Sequence, residues 1–151
     1  MRCTCTPILV SYCNGRRILL KVELAALLSG HWLVVDDAEI NRLSNERQLK
    51  FLGATADLVN DGFEALAALE DGPPYVAVLM DGQMPNLDGY ETARRIRARE
   101  AETGHAPRLI FLLSGDENAA ERALEVGMNG GFQKPIEDKL RPFLESFVAS
   151  Q

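Results

Sequence analysis

Beyond residue 30, the chain alternates short apolar runs with longer segments in which apolar residues recur every three to four positions. The short runs predict β-strands and the longer segments predict helices. The run at 75–80 is apolar throughout, which is typical of a strand covered by helices on both faces. The predicted strands are 32–35, 54–59, 75–80, 109–113 and 131–133, each followed by a helix, at about 40–52, 63–69, 90–102, 119–126 and 137–149. Five such units predict an α/β fold with a parallel sheet.

The composition fits one globular domain with its own core, since 46% of the 151 residues are hydrophobic. The charge is uneven along the chain. Residues 1–30 carry four basic side chains against one acidic one, and residues 31–151 carry twelve against twenty-one. An acidic body argues against direct nucleic-acid binding.

The three cysteines lie in the first thirteen residues, at Cys3, Cys5 and Cys13. An odd number of cysteines in one short segment is a poor disulfide framework, so we expect a reducing, cytoplasmic setting. The apolar stretch at 18–28 is interrupted by two charged residues and is too short to cross a bilayer, so it predicts no membrane segment.

Polar residues stand at the ends of four predicted strands. They are Asp36 and Asp37 after the first strand, Asp81 after the third, Ser114 after the fourth and Lys134 after the fifth. Because the carboxyl ends of parallel strands share one edge of the sheet, we expect these side chains to gather where such folds bind ligands.

Three carboxylates in one place repel each other and raise at least one pKa unless a cation balances them. Mg²⁺ suits such a small oxygen cluster, because it keeps several waters and commonly binds phosphate oxygens as well. A carboxylate can also attack phosphorus and form an acyl phosphate. The charge of Lys134 and the hydroxyl of Ser114 could then stabilise the phosphoryl oxygens, and no general base is needed.

These residues also resemble a known family, the receiver domain of response regulators and hybrid histidine kinases. The resemblance extends from residue 31 to 149, and the motifs that carry it are Val34-Val35-Asp36-Asp37, Asp81-Gly82-Gln83-Met84-Pro85-Asn86-Leu87-Asp88-Gly89, Ser114 and Lys134-Pro135. It implies a flavodoxin-like (βα)5 fold with strand order 2-1-3-4-5 and a cis Lys134–Pro135 bond.

The resemblance also implies specific roles in a two-component phosphorelay. Asp81 would accept a phosphoryl group from a phosphohistidine on a histidine kinase or a histidine phosphotransfer protein. Asp37, Asp81 and the backbone carbonyl of Gln83 would bind Mg²⁺ directly, Asp36 would assist, and Ser114 and Lys134 would contact the phosphoryl group. Such a domain catalyses only its own phosphorylation and dephosphorylation, and the parent protein would be a hybrid histidine kinase.

Two features depart from the family pattern. Gly131 stands where receiver domains usually carry a Tyr or Phe that reports phosphorylation to the output surface, and the segment 114–127 is about two residues shorter than is common. Phe132 is adjacent, but strand alternation places it on the same face as Lys134 and opposite Gly131. We therefore expect phosphate acceptance to survive while the aromatic relay is weak or absent.

Residues 1–30 lie outside the strand–helix rhythm, which predicts a domain boundary at residue 31. We expect this segment to be a tail or linker, or the last strand and helix of a degenerate upstream receiver. Two alternatives to a receiver function are a Mg²⁺-dependent phosphotransferase or phosphatase and a pseudo-receiver that only binds proteins. Haloacid-dehalogenase-like phosphatases carry a second Asp where this chain has Gln83, and the intact acidic set argues against a pseudo-receiver.

Overall fold

The computed structural model describes residues 10–13, 16–19 and 24–150, with side chains from Leu24 onward. Seven strands lie in the described segments: β1 (Val10–Cys13), β2 (Arg16–Leu19), β3 (His31–Val35), β4 (Thr55–Val59), β5 (Ala77–Asp81), β6 (Ile110–Ser114) and β7 (Gly130–Gln133). Six helices accompany them: α1 (Leu24–Ser29), α2 (Glu39–Leu52), α3 (Gly62–Asp71), α4 (Gly89–Thr103), α5 (Ala119–Glu125) and α6 (Leu140–Ala149).

The main sheet is parallel and has the order β4-β3-β5-β6-β7. Numbered from β3 onward, this is the predicted order 2-1-3-4-5, which is therefore confirmed. Strand β5 lies in the centre and is buried along its whole length. The register pairs Asp81 with Leu113 and Ser114 with Gln133, so the ends of β5, β6 and β7 lie side by side.

Successive residues of each strand point to opposite faces of the sheet and pack into two hydrophobic cores, one on each face. Trp32, Leu79 and Phe111 pack on the face covered by α1, α2 and α6. Leu33 and Met80 pack on the face covered by α3, α4 and α5. Burial on both faces explains why the central strands are continuously apolar.

Helix α1 packs against the sheet although it precedes the predicted boundary at residue 31. Leu27 is fully buried in the first core, and the Trp32 indole Nε1 donates a hydrogen bond of 2.8 Å to the Leu27 carbonyl. Strands β1 and β2 form a separate antiparallel pair. Residues 1–30, expected to be a tail, a linker or the last strand and helix of an upstream receiver, are described only in part, and Cys3 and Cys5 lie outside the described residues. The division of the chain at residue 31 stays a prediction.

The helix ends follow local sequence signals. The carboxylates of Asp61 and Asp88 accept backbone N–H bonds from Glu64 (2.9 Å) and Glu91 (2.8 Å) and so cap α3 and α4. Gly53 ends α2 in the left-handed conformation, at φ 102°.

Helix α6 begins at Leu140 and not near residue 137 as predicted. A turn intervenes, in which Lys139 N bonds Ile136 O at 3.0 Å and Asp138 has a φ of 58°. A residue in the left-handed region cannot continue a right-handed helix, so the helix starts only after this turn.

Four arginines of α4 pair with nearby acids, and three of them are exposed, whereas Arg97 is partly buried. Arg94 and Arg95 reach Glu91, and the other two pairs are Arg97–Glu100 and Arg99–Glu70. No helix in the described part of the chain combines the length and apolar character that crossing a bilayer requires.

A polar cluster connects β3, β4 and the segment just before β5, towards the end of the sheet opposite Asp81. The Tyr75 hydroxyl donates a 2.7 Å hydrogen bond to Asp57, and His31 Nε2 lies 3.1 Å from the same Asp57 oxygen. Burial, followed by the bond to Asp57, raises the pKa of Tyr75 to about 12.

We expect Tyr75 to make the protein sensitive to alkali. The pKa of Tyr75 in the folded state lies above the unfolded value of about 10. The stabilisation that the protonated hydroxyl gives the folded state is therefore complete below pH 10 and is lost as the pH rises towards 12. A shift of two units corresponds to at most about 2.7 kcal/mol. Urea unfolding from pH 9 to 12 should show the stability advantage of the native chain over Tyr75→Phe shrinking by about 1–2 kcal/mol; a constant difference would contradict this assignment.

Candidate functional site

The predicted site residues meet in the loops at the carboxyl edge of the sheet. Carboxylate oxygens of Asp36, Asp37 and Asp81 all lie within 4.8 Å of one another. A cavity of about 510 Å³ opens beside them, lined by Asp37, Asn41, Asp81, Gln83, Ser114, Gly115, Asp116 and Lys134. The structure thus brings together every predicted site residue, with Asp36 behind the cavity wall.

Asp36 is fully buried and held in one orientation. Its Oδ1 accepts bonds from the Ala38 N–H (2.9 Å) and from Asn41 Nδ2 (3.4 Å). Arg42 donates a 2.7 Å bond to the Asp36 carbonyl and fixes the loop from its other side. Asp37, by contrast, is exposed and faces the cavity.

Asp81 ends β5 with only 5% of its surface exposed. Its Oδ1 accepts a 3.0 Å bond from Lys134 Nζ and a 3.4 Å bond from the Gln83 N–H. Burial raises the pKa of Asp81, the bond from Lys134 acts against that rise, and the charge of Asp36 adds to it. The carboxylate is therefore less stable as an anion than one in water.

Lys134 supplies the positive charge of the site. Its Nζ lies 3.0 Å from Asp81 and 3.5 Å from Asp36, and its backbone N–H bonds Ser114 O at 2.7 Å. Burial tends to lower the pKa of Lys134, but the bond to Asp81 and the charges of both carboxylates outweigh it, so the pKa is raised. The Lys134–Pro135 peptide bond is cis, as expected from the resemblance.

The donor set fits Mg²⁺. It consists of carboxylate oxygens beside an open cavity, which leaves room for water and phosphate oxygens. One lysine faces three carboxylates, and the raised pKa of Asp81 records the energetic cost of burying one of these charges. A divalent cation would remove that cost.

Ser114 is 5% exposed at the end of β6, and its Oγ accepts a 3.2 Å bond from the Asp116 N–H. Because the hydroxyl acts there as acceptor, its hydrogen remains available for an oxygen in the cavity.

Three cavity residues were not predicted from the sequence: Asn41, Gly115 and Asp116. Their spacing in the sequence could have indicated two of them. Asn41 is four residues after Asp37, and Asp116 is two residues after Ser114, the spacing of a turn closed by a side chain. Gln83 lines the cavity as predicted, and the role of its carbonyl as a ligand stays a prediction.

Gly131 and Phe132 point to opposite faces of β7, as predicted. Phe132 packs on Phe143 of α6 with ring centroids 4.8 Å apart. On the other face, a Cβ at Gly131 would lie 2.8 Å from the Ala119 carbonyl oxygen and 3.1 Å from Leu112 Cβ. Helix α5 therefore lies too close to β7 for any side chain at residue 131.

The chain is similar in sequence to a known domain family and to parts of larger proteins. The response regulator receiver domain matches residues 32–141. The chain is 35% identical over 133 residues to probable histidine kinase 2 of Oryza sativa, covering 78% of this chain and 13% of that protein. It is 39% identical over 122 residues to virulence sensor protein BvgS of Bordetella pertussis, covering 78% and 10%. The chain thus spans only about a tenth of the length of these relatives.

Similar solved structures are also receiver domains. The receiver of the Arabidopsis thaliana histidine kinase CKI1, in complex with Mg²⁺ and BeF3⁻, has a TM-score of 0.69 and 28% identity, covering 85% of this chain and 95% of that one. The receiver of a Pseudomonas aeruginosa sensor histidine kinase, with a magnesium ion in its active site cleft, has a TM-score of 0.66 and 33% identity, covering 80% and 98%.

A third structure is the complex of the Saccharomyces cerevisiae histidine phosphotransfer protein Ypd1 with the receiver domain of Ssk1. It has a TM-score of 0.67 and 28% identity, covering 78% of this chain and 86% of that chain. With its sheet order, its acidic edge and these relatives, the chain belongs to the response regulator receiver domain family.

Proposed function

We propose that this chain is the phospho-accepting domain of a two-component phosphorelay and that Asp81 takes the phosphoryl group from a phosphohistidine. The observation that carries the proposal is the position of Asp81, a buried carboxylate bonded to Lys134 and facing a cavity beside two further acids. The Asp81 carboxylate oxygen forms a bond to phosphorus while the bond from phosphorus to the histidine nitrogen breaks. The leaving nitrogen keeps the electron pair of that bond.

Residues of this chain hold the nucleophile in place and stabilise the negative charge that develops on the phosphoryl oxygens. Lys134 Nζ lies 3.0 Å from Asp81 Oδ1, so only a small movement is needed for it to bond an oxygen of a phosphoryl group on Asp81. Ser114 can donate its hydroxyl hydrogen to a second oxygen. The buried Asp36 holds Lys134 from behind.

Asp36, Asp37, Asp81 and the Gln83 carbonyl are the groups that would hold Mg²⁺. When bound, the ion supplies positive charge that offsets the carboxylates and the incoming phosphoryl oxygens. Similar receiver domains that were solved with Mg²⁺ support this assignment for the present chain.

The test of this function is phosphate incorporation. We expect incubation with Mg²⁺ and a phosphorylated histidine phosphotransfer protein, or with acetyl phosphate, to increase the intact mass by one phosphoryl group. Hydroxylamine should remove that group, because acyl phosphates react with it whereas phosphoserine and phosphothreonine do not. A phosphate that resists hydroxylamine would contradict the proposal.

The phosphate donor would be a histidine kinase or a histidine phosphotransfer protein. The Ypd1–Ssk1 receiver complex supports a partner of this kind. We infer a cytoplasmic setting, because the clustered cysteines favour a reducing compartment. Hydrolysis of a separate substrate is less favoured, since Gln83 occupies the position of the second acid in phosphatases that use an Asp nucleophile.

The exposed start of α2 suits the docking of such a donor. Ile40 is 78% exposed and Leu43 is 52% exposed, and both lie within two turns of Asp37. Exposed apolar side chains beside a reactive site are typical of interfaces.

We expect Ile40→Ser to slow transfer from a phosphorylated histidine phosphotransfer protein by about tenfold, because an apolar anchor of the interface is lost. The rate with acetyl phosphate should stay unchanged, since that donor needs no docking surface. Phe51→Ser is the matched control, because Phe51 is 86% exposed at the far end of the same helix. Equal loss with both donors would assign Ile40 to the site and not to docking.

A further inference from the structure

Helix α5 contacts the site by a route that does not involve residue 131. In this chain no side chain fits at Gly131, because α5 occupies the space. An aromatic ring nevertheless lies between the site and α5, and it comes from Tyr90 in the first turn of α4.

The Tyr90 hydroxyl lies against the residue that follows Asp81. A Cβ at Gly82 would be 3.1 Å from the Tyr90 oxygen, and Gly89 N bonds Gly82 O at 3.1 Å. The hydroxyl is buried and has no hydrogen-bond partner among the residues that the structure describes. An unpaired buried hydroxyl is unfavourable, so a second arrangement that gives it a partner can compete with this one.

Arg122 of α5 lies over the Tyr90 ring. Its guanidinium carbon lies 4.6 Å from the Tyr90 ring centroid, and its Nη1 bonds Asp116 at 2.8 Å. The N–H of Asp116 in turn bonds the Ser114 hydroxyl at 3.2 Å. Tyr90, Arg122 and Asp116 therefore connect Gly82, the residue after Asp81, with Ser114, and Arg122 brings α5 into this series of contacts.

We propose that Tyr90 and Arg122 carry the state of Asp81 to helix α5, in place of the aromatic residue that Gly131 excludes. The proposal rests on phosphate acceptance at Asp81. A phosphoryl group there draws the Ser114 hydroxyl towards its oxygens and moves the Asp116 N–H with it. The Asp116–Arg122 pair follows, Arg122 shifts over the ring, and the Tyr90 hydroxyl gains room to find a partner.

Fluorine NMR of the chain labelled with fluorotyrosine tests this directly. The sequence contains three tyrosines, Tyr12, Tyr75 and Tyr90. The resonance that disappears in Tyr90→Phe is that of Tyr90, and Tyr75→Phe identifies the Tyr75 resonance in the same way. On addition of Mg²⁺ and BeF3⁻, a phosphoryl mimic, we expect the Tyr90 resonance to move. The Tyr75 resonance should stay in place, because that hydroxyl is bonded at the opposite end of the sheet.

Backbone amide shifts show whether the signal reaches α5. In Arg122→Gln the Gly82 and Gln83 amides should still respond to the mimic, while the response of the Ala119–Glu125 amides falls at least about twofold. Arg94→Gln is the matched control, since Arg94 is an exposed arginine paired with Glu91, and it should leave both responses intact.

Two results would overturn the relay: a silent Tyr90 resonance while the Gly82 amide responds, or a full α5 response in Arg122→Gln. A native chain whose Gly82 and Gln83 amides ignore the mimic would instead count against phosphate acceptance itself, so the two failures are distinguishable.

Discussion

Asp81→Asn is expected to reduce phosphate incorporation from both acetyl phosphate and a phosphohistidine donor by about a hundredfold or more. The amide is nearly isosteric with the carboxylate but has no anionic oxygen to attack phosphorus. Of Asp36, Asp37 and Asp81, Asp81 is the one that both lines the cavity and accepts a bond from Lys134, so we expect neither of the others to replace it as the acceptor.

The measurement is intact mass after a timed incubation with Mg²⁺. Asp71→Asn is the matched control, because Asp71 is an exposed aspartate at the end of α3, away from the site cavity. It should incorporate phosphate at the native rate. Equal incorporation in Asp81→Asn and the native chain would exclude Asp81 as the acceptor.

Asp81→Asn also has an expected effect on stability. Because burial raises the pKa of Asp81, replacement by a neutral amide removes a buried charge. We therefore expect the metal-free variant to unfold at a denaturant concentration no lower than that of the native chain, which separates loss of the nucleophile from loss of the fold.

Gly131→Ala is expected to destabilise the fold by about 1–3 kcal/mol, and Gly131→Tyr by more. A single methyl group would meet the Ala119 carbonyl at 2.8 Å, and a backbone atom at the start of a helix cannot yield as a flexible side chain can. Restoring the aromatic residue usual in the family therefore requires α5 to move away from β7.

Denaturant unfolding of each variant measures this effect. Gly115→Ala is the matched control, since a Cβ at Gly115 meets nothing within 4 Å. Its stability should stay within about 0.5 kcal/mol of native. A Gly131→Tyr variant as stable as the native chain would show that α5 has space which the present packing does not reveal.

Sequence periodicity alone was enough to predict the main sheet. Strands with two buried faces are continuously apolar, and helices with one buried face are periodic, so the five strand–helix units can be recognised without tertiary information. The acidic edge followed from them, because parallel strands place their carboxyl ends together. The start of α6 could not be found in this way, since it depends on the left-handed backbone of Asp138.

Tertiary structure decided what surrounds Asp81. That Asp36 is fully buried, that Asn41 bonds it and that Asp116 lines the cavity depend on how loops from different strands meet. The sequence placed Gly131 where an aromatic residue is usual, and only the packing of α5 on β7 revealed the physical reason for a glycine there. Tyr90 and Arg122 are 32 positions apart in the chain, and their contact follows from the distance between two helices, which no local pattern of residues encodes.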